Sequence, residues 1–174
     1  RTWVDGETMI ASALNTHLRD QMDVLHSSDH VMAYRTTSVA LTTDEWETLH
    51  WDADRLDNNQ MHHVKRRNTR FHVHRDGTWL MILKLDFSVN TTGLRWGMIR
   101  RNSEESESGG NTLGQWASAG ITPGETVVWG MITAPLRRGD YLNVFGKQSS
   151  GANLNLVGDK NNSWFQMVQL TDVF

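Results

Sequence analysis

The sequence contains no cysteine and only two prolines among its 174 residues. Without cysteine there can be no disulfide scaffold, zinc–thiolate site or cysteine nucleophile, and this composition fits assembly in a reducing cytoplasm. No apolar run approaches the roughly 20 residues of a membrane-spanning helix, so we expect no membrane partner. The formal net charge of −3 gives no overall basicity that would indicate a nucleic-acid partner.

The residues that are present have the composition of a globular protein, with 38% hydrophobic and 21% charged residues. The length suits one domain with a short appendage, which can bury a core without metals or disulfides. Eight tryptophans stand against two tyrosines. Because tryptophan buries a large area in cores and interfaces, this excess predicts more buried surface than one small core needs. Oligomerisation would provide that surface.

The first thirty residues differ in pattern from the rest of the chain. Between Thr8 and Leu25 the apolar residues recur at steps of three and four, the spacing of one face of an α-helix. We call this face the helix stripe; it consists of Ile10, Leu14, Leu18, Met22 and Leu25. A lone amphipathic helix of this length is marginal in water, so we expect the stripe to bind a partner. The polar residues 26–30 are predicted to form a linker.

From residue 31 to residue 174 the period changes to two and turn signals recur, which predicts a separate β domain. The strongest predicted strand covers residues 79–89. Further strands are predicted at 94–100, 127–133, 141–148, 154–157 and 164–173, with weaker candidates at 36–41, 47–51 and 69–73. Residues 102–111 are predicted to be a solvated loop. The fold class is therefore all-β, a jelly-roll sandwich preceded by a short N-terminal α-helix.

A series of short motifs makes the β domain recognisable. In chain order they are Trp46-Glu47-Thr48-Leu49-His50-Trp51-Asp52, Asp57, Asn68-Thr69-Arg70-Phe71, Asp76-Gly77-Thr78-Trp79, Asn90-Thr91-Thr92-Gly93-Leu94-Arg95, Ile99-Arg100-Arg101-Asn102, Gly139-Asp140-Tyr141-Leu142, Gln148 and Ser163-Trp164-Phe165. Together they resemble the trimeric jelly roll of complement globular heads, tumour necrosis factor (TNF) and many phage fibre and spike proteins. The resemblance covers residues 34–174, and Trp79 stands where the family usually has tyrosine. It implies a TNF-like homotrimer but no single function, because this fold has many binding roles.

Residues in two of these motifs have a predicted local role. Gly77 and Gly139 are expected at tight turns that require a positive φ. Asp140 is expected to accept a hydrogen bond within its own turn.

A second resemblance lies at the N-terminus. It consists of Thr2-Trp3-Val4-Asp5-Gly6-Glu7, Ala11, Ala13, Leu14-Asn15, Leu18-Arg19-Asp20 and Leu25. This pattern is similar to the N-terminal segment of many tailed-phage virion proteins, which is thought to attach a distal domain to the particle. The resemblance implies a virion protein, assembled in the cytoplasm of the host bacterium, whose partners are capsid or tail proteins.

Several clusters of polar residues could carry chemistry, and for each one a structural role is the favoured interpretation. His72 and His74 share a strand face and could contribute to a metal site on a three-fold axis, but two ordinary surface histidines are favoured. The oxygen-rich run of Asp52, Asp54, Asp57 and Asn58 lacks the spacing of a calcium loop. No metal or other cofactor is therefore expected.

Two charged runs of opposite sign are adjacent in the chain. The acidic run comprises Asp44, Glu45, Glu47, Asp52, Asp54 and Asp57, and the basic run comprises Lys65, Arg66, Arg67, Arg70 and Arg75. The basic run could bind a polyanion such as a cell-surface glycan or nucleic acid. Charge complementarity between the two runs, within or between subunits, is favoured instead.

These patterns together predict a non-enzymatic structural protein of a phage particle, since no nucleophile, phosphate-loop or zinc-protease motif is present. The expected form is a homotrimeric surface knob, used for capsid decoration or as a head fibre. The alternative is a receptor-binding head at a tail fibre or tail tip that recognises a host-surface glycan. The residues expected near the three-fold axis are Trp79, Met81, Phe145 and Phe165.

Overall fold

The computed structural model describes residues 28–103, 109–121 and 123–172. Within these ranges the chain forms twelve β-strands and no helix. The strands are β1 (His30–Tyr34), β2 (Val39–Leu41), β3 (Glu47–Thr48), β4 (Ala53–Asp57), β5 (Arg70–His72), β6 (Gly77–Phe87), β7 (Leu94–Arg101), β8 (Asn111–Ala119), β9 (Thr126–Leu136), β10 (Tyr141–Gln148), β11 (Leu154–Leu156) and β12 (Trp164–Asp172). The predicted N-terminal helix, with its stripe from Ile10 to Leu25, lies outside the described residues.

The strands form two antiparallel sheets that stack face to face. The seven-stranded sheet has the order β2-β11-β6-β12-β1-β4, and β9 pairs with the other edge of β6. The five-stranded sheet has the order β3-β10-β7-β8, and β5 also pairs with β10. Most neighbours within a sheet are distant in the chain, as expected for a jelly roll. The all-β sandwich predicted from the sequence is confirmed.

The core lies between the sheets and is built from alternate positions of each strand. On β6 the side chains of Trp79, Met81, Leu83 and Leu85 are fully buried, because successive residues of a strand point to opposite faces. The sheets approach closely at Gly97 on β7, where an added Cβ would lie 2.9 Å from Leu83 Cδ2. Glycine at this position allows β7 to pack directly on the leucines of β6.

Trp116 closes the sandwich between β8 and β9. Its ring passes over two glycines: a Cβ at Gly130 would lie 2.3 Å from Trp116 Cε3, and a Cβ at Gly114 would lie 2.4 Å from Trp116 Cη2. Strand β8 is absent from the sequence-based assignment, as are β1 and β4. The residues of β8 are mostly exposed, and most of them are polar or small. The strand therefore lacks the apolar alternation by which strands are identified in a sequence.

The two glycines predicted at tight turns have different roles in the structure. Gly139 has a φ of 95°, and Asp140 Oδ2 accepts a hydrogen bond of 2.9 Å from the backbone N–H of Arg137, so both predictions for this turn are confirmed. The prediction for Gly77 is wrong, because Gly77 is the first residue of β6 and is not among the described residues with a positive φ. A Cβ at Gly77 would lie 2.5 Å from the carbonyl oxygen of Thr171, so glycine is needed there for a close approach between strands.

The sandwich includes residues just before β1. The carboxylate of Asp29 is buried, accepts a hydrogen bond from the Asn59 amide and lies 3.7 Å from Arg75 Nε. The carbonyl oxygen of Asp29 accepts a hydrogen bond of 2.8 Å from the Gln169 N–H. The linker predicted over residues 26–30 therefore overlaps the sandwich from residue 28 onwards.

Candidate subunit interface and charged surface

The outer side of the seven-stranded sheet carries many apolar side chains. On strands β4, β1, β12, β6 and β9, the residues that alternate with the core positions point away from the second sheet. We call their apolar members the apolar face: Leu56, Met32, Tyr34, Trp164, Val168, Leu80, Ile82, Trp129 and Met131. Large contiguous apolar patches are uncommon on monomers and mark sites of contact with other molecules.

One row of the apolar face crosses four strands in register. Tyr34 is opposite Trp164, Trp164 is opposite Lys84, and Lys84 is opposite Trp129. The rings of Trp129 and Trp164 meet edge to face, with centroids 5.4 Å apart. Lys84 Nζ lies 5.8 Å from the Trp129 ring centroid and 3.0 Å from Asp86 Oδ2. Burial raises the pKa of Asp86, although its hydrogen bond from Lys84 acts in the opposite direction.

A second row is less polar and more exposed. Leu56 is opposite Met32, which is followed across the sheet by Gln166, Ile82 and Met131. Met131 is 67% exposed and Leu56 is 47% exposed. In the first row, Trp129 is 55% exposed. Trp129 and Met131 are neighbours on the outer side of β9, whereas Leu56 lies at the opposite end of the row on β4.

The four residues expected near a three-fold axis are all buried within the single chain. Trp79, Met81 and Phe165 belong to the hydrophobic core of the single chain, and Phe145 is 1% exposed. Side chains this deeply buried have no surface left to offer to a second subunit. The residues of the apolar face alternate with them along β6 and β12. Their signal in the sequence is the long apolar run of β6, which is typical of a strand covered on both faces.

The residues of the acidic run serve mainly to fix the local structure. Asp57 accepts hydrogen bonds from the backbone N–H groups of Met61 and His62, at 2.9 and 3.1 Å. Asp52 accepts one from the N–H of Thr36 at 2.6 Å. Asn58, counted with this run as a possible calcium ligand, accepts a hydrogen bond from the N–H of His30. These oxygen atoms are used inside the protein rather than gathered around a common point.

His62 is a structural residue at the base of the loop between β4 and β5. Its Nδ1 lies 2.6 Å from Asp54 Oδ1, and its Nε2 lies 3.1 Å from the carbonyl oxygen of Asn68. Its ring stacks on Phe71, with centroids 4.8 Å apart. His62 therefore ties the loop to the core by both ring nitrogens and by one ring face.

His72 and His74, the candidate metal ligands, lie on β5 and just after it. His74 Nε2 is 3.4 Å from the carbonyl oxygen of Gln60. Burial lowers the pKa of His72, and His63, His74, Arg70 and Arg67 lower it further. Across the described ranges, no group of three or more histidine, aspartate or glutamate side chains is arranged to hold a metal ion.

The basic run is only partly neutralised. Over the described part of the chain, no ion pair joins Lys65, Arg66 or Arg67 to a carboxylate, and all three side chains are exposed. The side-chain ion pair that links the acidic strand β4 to this loop is that of Asp54 and His62. Complementarity between the two runs within one chain therefore does not account for these three cations.

In the part of the chain that the structure describes, no helix has the length and apolar character to cross a membrane.

Comparison with known proteins identifies the fold. No protein-family profile matches the sequence, and no curated protein sequence matches it. Among solved structures, the chain is similar to Eiger TNF from S. frugiperda, with a TM-score of 0.64 and 15% identity over 84% of this chain and 95% of that chain. It is also similar to murine APRIL, with a TM-score of 0.62 and 13% identity over 83% of this chain and 100% of that chain. The globular domain of zebrafish complement 1qA gives a TM-score of 0.59 and 12% identity over 83% of this chain and 99% of that chain.

Identities this low carry the fold and nothing finer. The chain is a jelly-roll sandwich of the type seen in TNF and complement globular heads. The resemblance predicted from its motifs is thereby confirmed at the level of the fold.

Proposed function

We propose that this TNF-like domain is a structural head that assembles as a homotrimer through the apolar face of its seven-stranded sheet. The trimer forms a surface knob on a tailed-phage particle, as a capsid decoration or head-fibre protein. Residues 1–30 attach it to capsid or tail proteins through the helix stripe. The proposal assigns no reaction and no cofactor to the chain.

The apolar face carries the trimer proposal. Transfer of apolar surface from water into an interface contributes about 25 cal/mol per Å², and aromatic side chains such as Trp129 and Trp164 are typical of interface hot spots. A three-fold contact is heterologous, so a patch on one subunit meets a different patch on the next. Strand β9 lies at the edge of the sheet and exposes Trp129 and Met131, which suits insertion against the face of a neighbour.

The place in a phage particle is supported by the N-terminal sequence pattern. A trimer presents three copies of the helix stripe, and each copy raises the effective concentration of the others at the particle surface. A modest affinity per helix then gives firm attachment. The same reasoning applies to a tail fibre or tail tip, where the head would recognise a host-surface glycan. The incompletely neutralised basic loop favours that second placement.

The oligomeric state is the direct test. Sedimentation equilibrium of the full chain at micromolar concentration should give three times the chain mass of 19.9 kDa. A stable monomer at that concentration would contradict the trimer. A reconstruction of the phage particle should then show the knob on the capsid or on the tail, and its absence from purified particles would contradict the virion role.

A further inference from the structure

The loop between β4 and β5, strand β5 and the start of β10 together form a basic surface. We call it the basic patch: His63, Lys65, Arg66, Arg67, Arg70, His72 and Tyr141. No aspartate or glutamate occurs in the sequence between Met61 and Arg75. Arg70, His72 and Tyr141 lie on strands of the five-stranded sheet, and no residue of the patch belongs to the apolar face, so the proposed trimer contact does not use the patch.

Three rings and one guanidinium group lie near one another in the patch. The Arg70 guanidinium carbon lies 4.4 Å from the centroid of the Tyr141 ring. The ring centroid of His72 lies 6.3 Å from that of Tyr141 and 6.1 Å from that of His63. Beside them is an open cavity of about 490 Å³, lined by His62, His63, Val64, Lys65 and Arg66. This volume accommodates one or two sugar rings.

The fold holds the loop in place from beneath, so the cations are presented on a fixed base. Asp57 accepts two backbone hydrogen bonds at the start of the loop, and His62 is bound on both ring nitrogens. Arg67 has a φ of 53° and turns the chain sharply. Its carbonyl oxygen accepts a hydrogen bond of 2.9 Å from the Arg70 N–H. A preorganised surface of this kind loses less entropy on binding than a disordered basic tail.

The electrostatic surroundings of His72 also indicate a site for an anion. The charged and titratable groups facing it are His63 and Arg67 from the loop before β5, Arg70 from β5 itself, and His74 just after β5, and every one of them lowers its pKa. A carboxylate on the neighbouring turn, Asp140, accepts hydrogen bonds from Asn102 and Arg137. The site is therefore cationic in its immediate environment although the whole chain has a net negative charge.

We propose that the basic patch binds an acidic polysaccharide, a glycan chain bearing sulfate or carboxylate groups. Guanidinium and ammonium groups pair with such anions, and the rings of Tyr141 and His72 provide flat surfaces for sugar rings. The patch is confined to one loop, the short strand β5 and the start of β10, and it lies next to the acidic strand β4. A duplex nucleic acid needs positive charge along a longer path, so the footprint favours a glycan.

The test compares two full-length charge variants. The patch variant carries Lys65→Gln, Arg66→Gln and Arg67→Asn, the last because asparagine tolerates a positive φ. The control variant carries Arg55→Gln, Arg138→Gln and Lys160→Gln, which removes three exposed cations elsewhere. Binding to heparin, polygalacturonate, neutral dextran and a short DNA duplex is measured by calorimetry at about 150 mM salt, where weak phosphate contacts are screened. Heparin and polygalacturonate separate sulfate from carboxylate as the recognised group.

We expect wild-type protein and the control variant to bind at least one of the two charged polysaccharides, and the patch variant to bind it roughly tenfold more weakly. Binding of neither polysaccharide would overturn the proposal, as would equal losses in both variants. DNA binding as tight as polysaccharide binding would overturn it in favour of a nucleic-acid site. If the patch variant loses its trimeric mass while polysaccharide binding is unchanged, the cations serve subunit pairing and the proposal is wrong.

Binding should also strengthen as the solution becomes more acidic. A bound anion favours the protonated form of His72, whose pKa is lowered in the free protein, so protonation and binding are linked. We expect the affinity for the recognised polysaccharide to rise several-fold from about pH 7.5 to about pH 5.5. His72→Gln should reduce that rise without changing the trimeric mass, and an unchanged rise in the variant would exclude His72 from the site.

Discussion

The two outer faces of this sandwich differ in how far their large side chains are shielded from water. On the five-stranded sheet, aromatic side chains pair with cations: Lys147 Nζ lies 5.7 Å from the Trp96 ring, and Arg70 covers Tyr141. On the seven-stranded sheet one such pair is present, Lys84 with Trp129 at 5.8 Å, but Met131 and Leu56 remain 67% and 47% exposed. A face whose aromatic side chains are paired with cations can remain in water, whereas a large exposed apolar face marks a site of contact with another protein surface. The difference supports the proposal that subunits meet on one side of the molecule and that a ligand binds on the other.

The largest expected effect comes from placing a charge on the apolar face. Met131→Asp should convert the trimer into a monomer, because an unpaired carboxylate cannot be buried in an apolar contact without a loss of several kcal/mol. The side chain is 67% exposed in the single chain, so the monomer should remain folded by circular dichroism. Sedimentation equilibrium measures the change.

The matched control lies on the other outer face. Gln115→Asp introduces the same charge at an exposed position of β8 and should leave the trimer intact. If Gln115→Asp dissociates the trimer and Met131→Asp does not, the assignment of the two faces is reversed.

A smaller effect is expected from truncation at two nearby positions. Removal of residues 1–27 should leave a folded trimer that no longer joins the particle, and Leu14→Asp with Leu18→Asp should act in the same way. Removal of residues 1–30 also deletes Asp29 and its buried contacts. This longer truncation should lower the free energy of unfolding by about 1–3 kcal/mol.

Urea unfolding measures the stability of both truncated proteins, and protein gels of particles from a complemented knockout phage measure attachment. Equal stability of the two truncations would show that residues 28–30 do not contribute to the sandwich. Full occupancy of the shorter truncation on particles would mean that the jelly roll itself makes the attachment.

The smallest expected effect concerns Asp86, which lies beside Lys84 on the outer side of β6. Because the pKa of Asp86 is raised in the folded state, its contribution to stability is greatest below its ordinary pKa and is lost as the pH rises through the raised value. Asp86→Asn does not titrate. The free energy of unfolding of the Asp86→Asn variant, relative to that of the wild type, should therefore increase as the pH rises from about 4 to about 7. Glu45→Gln, at an exposed position, serves as the control, and the same slope in both variants would contradict the prediction.

The fold was predictable from the sequence to a greater extent than the interface. Strand β6 was expected at residues 79–89 and lies at Gly77–Phe87, because its apolar run is bounded by clear turn residues. Either Leu80 and Ile82 or Trp79 and Met81 could point away from the core, because the two sets differ by a shift of one position along β6. A strand that is apolar on both faces does not reveal that shift.

The charged surface was predictable in composition but not in pairing. The run from Lys65 to Arg75 is evident in the sequence, yet charge complementarity with the acidic run was favoured. In the structure, Asp52 and Asp57 are used by backbone N–H groups, which no charge pattern indicates. Pairing depends on which side chains a loop brings within reach, and the path of a loop is set by tertiary contacts rather than by local spacing.

The position of β12 between β6 and β1 has a consequence for biosynthesis. The strand formed by the first described residues and the strand near the C-terminal end are neighbours in the middle of one sheet. During translation, β1 can pair with β4 and β6 with β9, but the edges of β1 and β6 that face each other across the sheet stay open until Trp164–Asp172 has left the ribosome. Such long-range pairing makes folding slow and leaves open strand edges exposed to other nascent chains. The order of strands therefore delays completion of the seven-stranded sheet until β12 is available, and it places the greatest risk of aggregation before that point.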